Sequence, residues 1–430
     1  MPPPNLNMLH DRGKVWIIWV VFVLIICILV SLPSHRHTVT HNYRSASILW
    51  FAGGGIYTEG IHGFLYLPSA AVLFMPFAWP PFRVSEVLWR VVCIVSLASG
   101  VWRLSRLAGR EAGLEMFPLM TLLSIPPTMD GARNGQMNLP LAALMIHAVV
   151  DLADRRWRWA SLWLSLGLAL KPLMIVPILL AAAIYRPMVW RLAVGVAAVL
   201  LLPFAAQHPA YVVEQYRLCV RKMSMSSRPG SMERVSDLFG IVQSLGIETP
   251  YAVQAAVRGL AAMLTLGLCR LGVRRWGTVR GEVLLLAMAS CYLMLFNPRT
   301  ENTSYVLLGP SLAVFAAWAF LVDRRSAIGW ILLGIIVGVT GSYEITRGYN
   351  YWLSPSLCLI FAGYLTYLVL AGRQPNLETG ELSAAFHKYA TKPFALRRAQ
   401  DRPFDPSRRR ENTAPPQGRS GLSRPGLWVP

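Results

Sequence analysis

The sequence predicts an all-α integral membrane protein whose chain crosses the bilayer many times. Only 14% of its 430 residues are charged and 54% are hydrophobic, whereas a soluble domain carries about 25% charged residues. Apolar runs of membrane-spanning length recur from Val15 to Ala371. Clusters of arginine separate several of these runs, and basic clusters are typical of the cytoplasmic loops of membrane proteins.

The first apolar run, Val15–Leu32, is interpreted as a retained membrane anchor. It is longer than the apolar part of a signal peptide, and no small-residue cleavage site follows it. Arg12 and Lys14 precede the run, so residues 1–14 are predicted to form a cytoplasmic N-terminus. The polar stretch after the run then faces outward, and we expect a short interfacial helix, Ser45–Ala52, inside it.

The later apolar runs and the basic loops between them predict a multi-pass helical bundle of about twelve spans, with both termini inside. The transmembrane domain is predicted at residues 15–371. Its later runs are Val87–Trp102, Leu114–Pro126, Leu139–Val150, a pair within Trp159–Tyr185, Leu192–Ala206, Val253–Leu271, Val283–Phe296, Tyr305–Val322, Ile328–Gly341 and Leu353–Ala371. The basic loops are Arg103–Arg110, Arg155–Arg158, Arg186–Arg191, Arg270–Arg280 and Arg324–Arg325. The predicted outer loops are residues 33–63, 127–138, 207–252, 297–303 and 342–352.

One apolar segment, Phe64–Phe82, is long enough to span but conflicts with this topology. One more crossing there would place every later basic loop on the outer side, against the usual charge rule. The segment is also interrupted by prolines such as Pro68 and Pro76. We therefore predict a re-entrant or interfacial segment.

Residues 372–430 are rich in Arg, Pro, Ser and Gly, a composition that predicts a disordered, basic cytoplasmic tail. The formal net charge of the whole chain is +20. Because much of this excess lies in the tail and in loops between spans, we interpret it as contact with anionic membrane lipids, and we predict no nucleic-acid partner. The chain has no P-loop, HExxH or GxSxG motif, and neither a metal nor a cofactor is predicted.

Lys171 is the most informative residue, because the segment Trp159–Tyr185 around it carries no other charge. A lysine at the centre of a bilayer costs roughly 2.5–3.5 kcal/mol on insertion scales. Pro172 follows it directly, which restricts Lys171 to extended geometry and interrupts the helix. We therefore predict two short membrane helices that meet at a turn on the outer side, where the ammonium binds an anion. The alternative is a lysine that reaches the lipid headgroups from a longer helix.

Two further polar stretches fall on the same predicted side. Ala132–Asn138, with the sequence ARNGQMN, supplies amide groups that suit sugar hydroxyls and an arginine that suits phosphate. Phe296–Tyr305 contains two charges at a membrane boundary. The candidate binding residues are Lys171, Arg133, Asn134, Gln136, Asn138 and Arg299. A capped loop between helices and an interfacial ion pair are the alternative interpretations of the two stretches.

Candidate catalytic residues are Glu301, in the second stretch, and Glu59, in the first outer loop. A carboxylate in such a position is a possible proton acceptor, as are loop histidines such as His41. The alternative is that these side chains are merely solvated.

Four motifs in order along the chain resemble those of glycosyltransferase family 87, in the multi-pass GT-C superfamily. They are Gly53-Gly54-Gly55-Ile56-Tyr57, Tyr66-Leu67-Pro68, Gly135-Gln136-Met137-Asn138 and Ala169-Leu170-Lys171-Pro172. The resemblance implies a GT-C-like bundle in the inner cell membrane. It also implies a hexosyltransferase, such as a mannosyltransferase, that uses a polyprenyl-phosphate sugar donor, a lipid or glycan acceptor on the extracytoplasmic face, and inversion at the anomeric carbon. Lys171, Arg133 and Arg299 are then expected to stabilise the leaving phosphate.

The chain departs from this family in one respect. Family members usually carry an aspartate in the first outer loop, but Val39 to Asn42, the corresponding stretch here, contains no carboxylate. Glu59, Glu301 or a histidine then takes over the role of base, or the protein is a non-catalytic relative. A transporter or flippase of a lipid-linked or anionic solute is a further alternative, because interrupted helices and charges within the membrane occur in transporters as well.

Overall fold

The computed structural model describes residues 12–32, 38–60, 62–226, 235–346 and 352–373. Across these ranges the regular structure is helical throughout, with no strand. The helices are α1 Arg12–Ser31, α2 Thr40–Phe51, α3 Pro68–Leu73, α4 Met75–Ala78, α5 Phe82–Gly109, α6 Phe117–Ser124, α7 Met129–Asn134, α8 Asn138–Ala153, α9 Trp157–Leu170, α10 Ile175–Ile184, α11 Met188–Leu201, α12 Pro209–Ser226, α13 Leu238–Ser244, α14 Tyr251–Phe296, α15 Gly309–Leu321, α16 Ser326–Thr340, α17 Ser342–Ile345 and α18 Leu353–Leu370.

The predicted class, an all-α membrane protein, is confirmed. Within the described ranges, five helices are long and apolar enough to cross a membrane: Gly13–Ser31, Phe82–Gly109, Met188–Ala205, Tyr251–Phe296 and Leu353–Leu370. Four apolar segments are shorter: Asn138–Ala153, Pro172–Ile184, Gly309–Leu321 and Ser326–Thr340. The count of about twelve spans stays a prediction.

Helix α8 lies at the centre of the bundle, where it packs against α5, α9 and α14. Apart from the half-buried His147, every residue from Asn138 to Ala153 is buried. A helix that is apolar on all sides must be surrounded by other helices. At the periphery, α1 and α11 expose apolar side chains such as Ile28 and Val194, as expected of faces that meet lipid tails.

The segment Phe64–Phe82 forms two short helices, α3 and α4, of 6 and 4 residues. At 1.5 Å per residue, ten helical residues extend about 15 Å, which is half the thickness of the hydrocarbon core. Neither helix crosses a membrane by itself. The segment packs instead against α2, α5 and α9.

The run around Lys171 folds as two helices joined by a turn, as predicted. Helix α9 ends at Leu170, and a 3-10 turn, Pro172–Met174, leads into α10. The expected interfacial helix in the first outer loop is α2, and Gly53 after it has φ +74, a conformation that glycine adopts without strain.

The sequence predicts two apolar runs separated by the basic loop Arg270–Arg280, and α14 consists of two helical segments that meet in this stretch, at Gly277 (φ 74, ψ −173). The chain turns back there, because the Tyr292 hydroxyl of the second segment donates to the Arg258 carbonyl of the first at 3.3 Å. The expected loop is reduced to one non-helical residue, and buried neighbours such as Trp276 keep the rest of the stretch helical. Gly277 adopts its positive φ without the steric cost that a side chain would add.

The two ends of the bundle differ in chemistry. At one end, Arg103 near the end of α5 and Arg110 directly after it pair with Asp151 and Asp154 at the end of α8. The opposite end contains Asn138, at the start of α8, together with Lys171 and the stretch after α14. Because Asn138 and Asp151 are thirteen positions apart on one helix, these ends are separated by about 20 Å. The predicted topology likewise puts the basic loops at one end of the bundle and the polar stretches around Lys171 at the other.

Several predicted regions lie partly outside the described residues. These are residues 1–11 of the N-terminus, residues 33–37, 61, 227–234 and 347–351 of the outer loops, and residues 374–430 of the tail.

Candidate functional site

A cavity of about 410 Å³ opens at the Lys171 end of the bundle. Its walls come from the start of α2, the loop before α3, the turn after α9, the end of α12 and the stretch after α14. The lining residues are Val39, Asn42, Tyr43, His62, Gly63, Leu65, Tyr66, Gln136, Lys171, Pro172, Leu173, Met223, Ser226, Asn297, Pro298, Arg299, Glu301 and Ser304. The cavity therefore combines two cations, one carboxylate, amides and aromatic rings.

The Lys171 ammonium is held in a fixed position in this cavity. The backbone of Lys171 is extended (φ −149, ψ 129), as Pro172 requires. Its Nζ donates a hydrogen bond of 2.6 Å to Oδ1 of Asn138 and lies 5.9 Å from the centre of the Tyr66 ring. Asn138 is fully buried at the first position of α8. The central helix of the bundle thus orients the charge at the cavity wall.

A chain of amides continues from Asn138 to the carboxylate. Nδ2 of Asn138 donates to Oε1 of Gln136 at 2.8 Å and to Oγ of Ser304 at 3.3 Å. Nε2 of Gln136 in turn donates to Oε2 of Glu301 at 3.2 Å. The cation and the carboxylate are therefore linked through two side-chain amides, which fixes their relative positions.

Gly135 makes this connection possible. Its φ of +68 lies in the left-handed region, where it ends α7. A Cβ added at this position would lie 2.5 Å from Oγ1 of Thr40 and 2.9 Å from Nη1 of Arg90. The chain can turn here, directly before Gln136, only because residue 135 has no side chain.

The two cations influence each other. Burial lowers the pKa of Lys171 to about 8; the nearby charge of Glu301 opposes this shift and that of Arg299 adds to it. Burial also lowers the pKa of Arg299, whereas the charge of Glu301 raises it. Two cations beside one carboxylate leave positive charge at this wall, and an anionic ligand would relieve the repulsion between the cations.

Glu301 lies at the open side of the cavity. It caps the 3-10 helix Asn302–Leu307 through a capping box with Ser304, and Oε2 accepts a further hydrogen bond of 3.4 Å from Oγ1 of Thr303. The residue is exposed. Its carboxylate is therefore both fixed in position and accessible to a ligand in the cavity.

The aromatic wall was not predicted from the sequence. The hydroxyl groups of Tyr43 and Tyr66 are 3.0 Å apart, and the Tyr57 hydroxyl donates to the Tyr66 carbonyl at 2.7 Å. Burial raises the pKa of Tyr66 to about 12, so this phenol stays neutral at physiological pH. Tyr66 belongs to the Tyr-x-Pro motif and Tyr57 to the Gly-Gly motif, and these two motifs were the signals for this wall in the sequence.

A buried ion pair supports the cavity from the side of α5. Nη2 of Arg90 lies 3.0 Å from Oε2 of Glu86, and Arg90 also donates to Oγ1 of Thr38, Oγ1 of Thr40 and the Arg133 carbonyl. The pair thereby holds the segment before α2 against the end of α7. This pair, at the start of the predicted run Val87–Trp102, was not predicted from the sequence, although the i, i+4 spacing of opposite charges was a visible signal.

Comparison with known proteins decides the family. The family model described as glycosyltransferase family 87 matches residues 64–298. The chain belongs to glycosyltransferase family 87. The motifs that contain Tyr66, Gln136 and Lys171 lie within the match, and the predicted resemblance is thereby confirmed. Arg299 and Glu301 follow directly after the matched region.

A curated relative of this family 87 protein comes from Mycobacterium tuberculosis. It is the polyprenol-phosphate-mannose-dependent alpha-(1-2)-phosphatidylinositol mannoside mannosyltransferase, and it is 32% identical over 154 residues. The match covers 30% of this chain and 35% of the relative. The chain thus matches about a third of the length of this relative.

The structure of the family 87 chain brings together five of the eight predicted site residues. Lys171, Gln136, Arg299 and Glu301 line the cavity, and Asn138 connects two of them. The stretch Ala132–Asn138 therefore combines the two interpretations given to it. It contributes side chains to the cavity, and it is also a capped loop between helices, because Gly135 ends α7.

The other three predicted residues, Arg133, Asn134 and Glu59, are not among those that line the cavity. The Arg133 side chain is exposed on α7, and Asn134 contributes its carbonyl to the backbone N–H of Val39 at 3.1 Å. Glu59 is exposed in the loop between α2 and α3. Sequence spacing could not separate Arg133 and Asn134 from the lining residue Gln136, because the left-handed turn at Gly135 lies between them.

The stretch Val39 to Asn42, where the family usually carries an aspartate, contributes to the cavity. Val39 and Asn42 both line it, so an aspartate at either position would face the cavity. In the described residues, no group of three or more His, Cys, Asp or Glu side chains is placed to hold a metal ion.

Proposed function

We propose that this protein is a membrane hexosyltransferase. It transfers a hexose, such as mannose, from a polyprenyl-phosphate donor to a lipid or glycan acceptor on the extracytoplasmic face. Membership of glycosyltransferase family 87 and the name of the mycobacterial relative support this class of reaction. The observation that carries the proposal is the fixed Lys171 ammonium, which faces the same cavity as Arg299 and Glu301.

The donor phosphate binds at Lys171 and Arg299 in this mechanism. During transfer, the acceptor oxygen forms a bond to the anomeric carbon while the bond between that carbon and the phosphate oxygen breaks. The polyprenyl phosphate leaves with an additional negative charge on this oxygen. Two fixed cations stabilise that developing charge, and such preorganised electrostatic groups supply a large part of enzymatic rate acceleration.

The acceptor hydroxyl must lose a proton in the same step, and Glu301 is the base that we propose. Its carboxylate lies at the open side of the cavity, is held by Gln136 and is connected through amides to Lys171. Glu59 is the weaker candidate because it does not line the cavity. The amides of Gln136 and Asn42 face the same space and suit the sugar hydroxyls.

The proposed topology places this cavity in the outer leaflet of the inner cell membrane. About twelve spans, with both termini inside, bring the basic loops to the cytoplasmic side. The cavity then opens where a polyprenyl chain can stay in the lipid while its phosphate enters the site.

The test is sugar transfer by purified full-length protein, with radiolabelled polyprenyl-phosphate mannose as donor and a lipid extract as acceptor source. We expect labelled product from the wild-type protein. Removal of one preorganised donor to a developing negative charge slows an enzyme about 100- to 1,000-fold, and Lys171→Met should show a loss of this size. Lys14→Met removes the same charge at the other end of the protein and is the matched control.

The same preparation distinguishes the alternatives. Movement of the donor across proteoliposomes without a new glycosidic bond would identify a flippase and refute the proposal. Absence of product with every donor sugar, together with unchanged donor binding in Lys171→Met, would identify a non-catalytic relative.

A further inference from the structure

We propose a second binding site, at the opposite end of the bundle, for the phosphate of an anionic phospholipid headgroup. A cavity of about 850 Å³ lies there between the ends of α5 and α8 and the segment before α6. Its charged lining residues are Arg103, Arg106, Arg110, Arg156, Glu115 and Asp154. Four arginines and two carboxylates therefore face one space.

This second cavity is separate from the one at Lys171. Val150 and Asp154 belong to the C-terminal end of α8, whereas Asn138 of the first site is its first residue. The rise of an α-helix puts about 20 Å between these positions, so the two cavities open at opposite membrane faces. On the proposed topology the second cavity is cytoplasmic, on the side where anionic lipids attract basic segments.

Two of the arginines form a fixed frame. Arg103 lies 2.6 Å from Oδ1 of Asp151, and Nε1 of Trp163 donates to the other oxygen of that carboxylate at 2.8 Å. Arg110 lies 2.9 Å from Oδ1 of Asp154. These pairs neutralise the two aspartates and hold the loop after α5 against the end of α8.

Arg106 and Arg156, the other two arginines, have guanidinium N–H groups that can bind a ligand. Arg106 is exposed, and its guanidinium lies 5.2 Å from the centre of the Trp102 ring. No carboxylate in the described part of the chain forms an ion pair with Arg106. Nη1 of Arg156 lies 4.0 Å from Oδ1 of Asp151, which is farther than the 2.6 Å between Arg103 and the same oxygen. The side chain of Arg156 is 60% exposed. A planar guanidinium presents a fork of N–H donors that matches phosphate oxygens.

The remaining lining favours an amphiphile over a soluble anion. Trp102, Leu107, Leu114 and Val150 provide an apolar wall beside the arginines. Trp16 of α1 contacts Trp102, with ring centres 6.4 Å apart, and tryptophans concentrate at the level of lipid headgroups. Acyl chains can follow this wall into the bilayer while the phosphate stays at the arginines. An anionic lipid therefore complements the cavity in both charge and polarity.

The test is native mass spectrometry of full-length, delipidated protein titrated with phosphatidylglycerol or, as the neutral reference, phosphatidylcholine. We expect saturable binding of phosphatidylglycerol. The double variant Arg106→Gln/Arg156→Gln loses hydrogen bonds to the charged phosphate. Its affinity for phosphatidylglycerol should be lower than that of the wild type by about tenfold or more. The double variant Arg106→Lys/Arg156→Lys keeps both charges but lacks the planar guanidinium groups. Its affinity should lie between those of the wild type and the glutamine variant.

The matched control is Arg83→Gln/Arg221→Gln, which removes the same charge from two exposed arginines elsewhere and should bind like the wild type. Equal affinity of the glutamine variant and this control would overturn the proposal, as would equal binding of both lipids by the wild type. Displacement by inorganic phosphate at the lipid's own concentration would refute a lipid ligand. Each variant must elute like the wild type in gel filtration.

Discussion

Lys171 unites the sequence and structural observations in one side chain. Its sequence context, a single charge followed by proline in an apolar segment, predicts both the turn and the polar site. The structure adds what the sequence does not contain, namely the partner. Asn138 is 33 residues away in the chain and accepts the ammonium's hydrogen bond at 2.6 Å, and only the folded bundle brings the two together.

Donor binding should depend on the protonation of Lys171. Because burial lowers its pKa to about 8, the free protein carries the ammonium below this pH and the neutral amine above it. We expect the KM for the polyprenyl-phosphate donor to rise as pH increases through about 8. An arginine stays protonated throughout, so Lys171→Arg should lose this pH dependence even if its activity is lower. Initial rates over a pH series provide the measurement, and an identical profile for both proteins would contradict the assignment.

Glu301→Gln should reduce kcat with little change in the KM for the donor. General bases contribute about 100- to 10,000-fold to rate, and the amide keeps the size of the side chain while it cannot take up the proton. Glu59→Gln is the matched control and should transfer sugar normally. Steady-state kinetics of both variants decide between the two carboxylates, and the opposite outcome would assign the base to Glu59.

The helical elements were predictable to the extent that apolar length and proline positions define them. The hairpin at Lys171 and the helix α2 both lie in segments where the pattern indicated them. The two runs of α14 were also predicted, and the chain turns back between them within the basic stretch, at Gly277. The turn is much shorter than the predicted loop, because packing of residues such as Trp276 keeps most of the stretch helical. Tertiary burial is absent from a local pattern.

The end of α7 should be sensitive to any side chain at residue 135. Gly135→Ala places a Cβ at φ +68 and within 2.5 Å of Thr40, and strained backbone of this kind costs about 1–3 kcal/mol before the clash is counted. We expect a lower thermal midpoint of the detergent-solubilised protein and loss of transfer. Gly363→Ala, in α18, meets no atom within 4 Å and should not lower the midpoint, because alanine favours a helix interior over glycine. Equal midpoints would show that the turn tolerates a side chain.

The buried pair between α5 and the segment before α2 should matter in a similar way. Glu86→Gln leaves Arg90 without its carboxylate, and removal of one partner of a buried pair typically costs about 3–5 kcal/mol. The denaturation midpoint should therefore fall. Glu86→Gln/Arg90→Met removes both charges and should recover part of the loss. A double variant as unstable as the single one would argue against the pair as the cause.

The two ends of the bundle carry different polar groups, namely amides with Lys171 at one end and arginine–aspartate pairs at the other. The central helix α8 carries an amide at one end and aspartates at the other, and the remaining polar groups follow this division. The sequence predicted the division through the alternation of basic loops and polar stretches. It could not predict which polar residues share a cavity, because that depends on turns such as Gly135 and on the aromatic wall at Tyr66.

The predicted sidedness can be tested by labelling in intact cells, in a background with the native cysteines replaced. Glu59→Cys should react with a membrane-impermeant maleimide, because its loop is predicted to face outward. Arg158→Cys should react only after the cells are permeabilised. Reaction of Arg158→Cys in intact cells would invert the topology.

Direct binding of polyprenyl phosphate to the purified protein tests the role of the Lys171 cavity most directly. Without the sugar, this ligand isolates the interaction of the phosphate with Lys171 and Arg299. We expect Lys171→Met and Arg299→Gln each to weaken binding by about tenfold or more, while Lys14→Met binds like the wild type. Unchanged affinity in both cavity variants would contradict the assignment of this cavity to the donor phosphate.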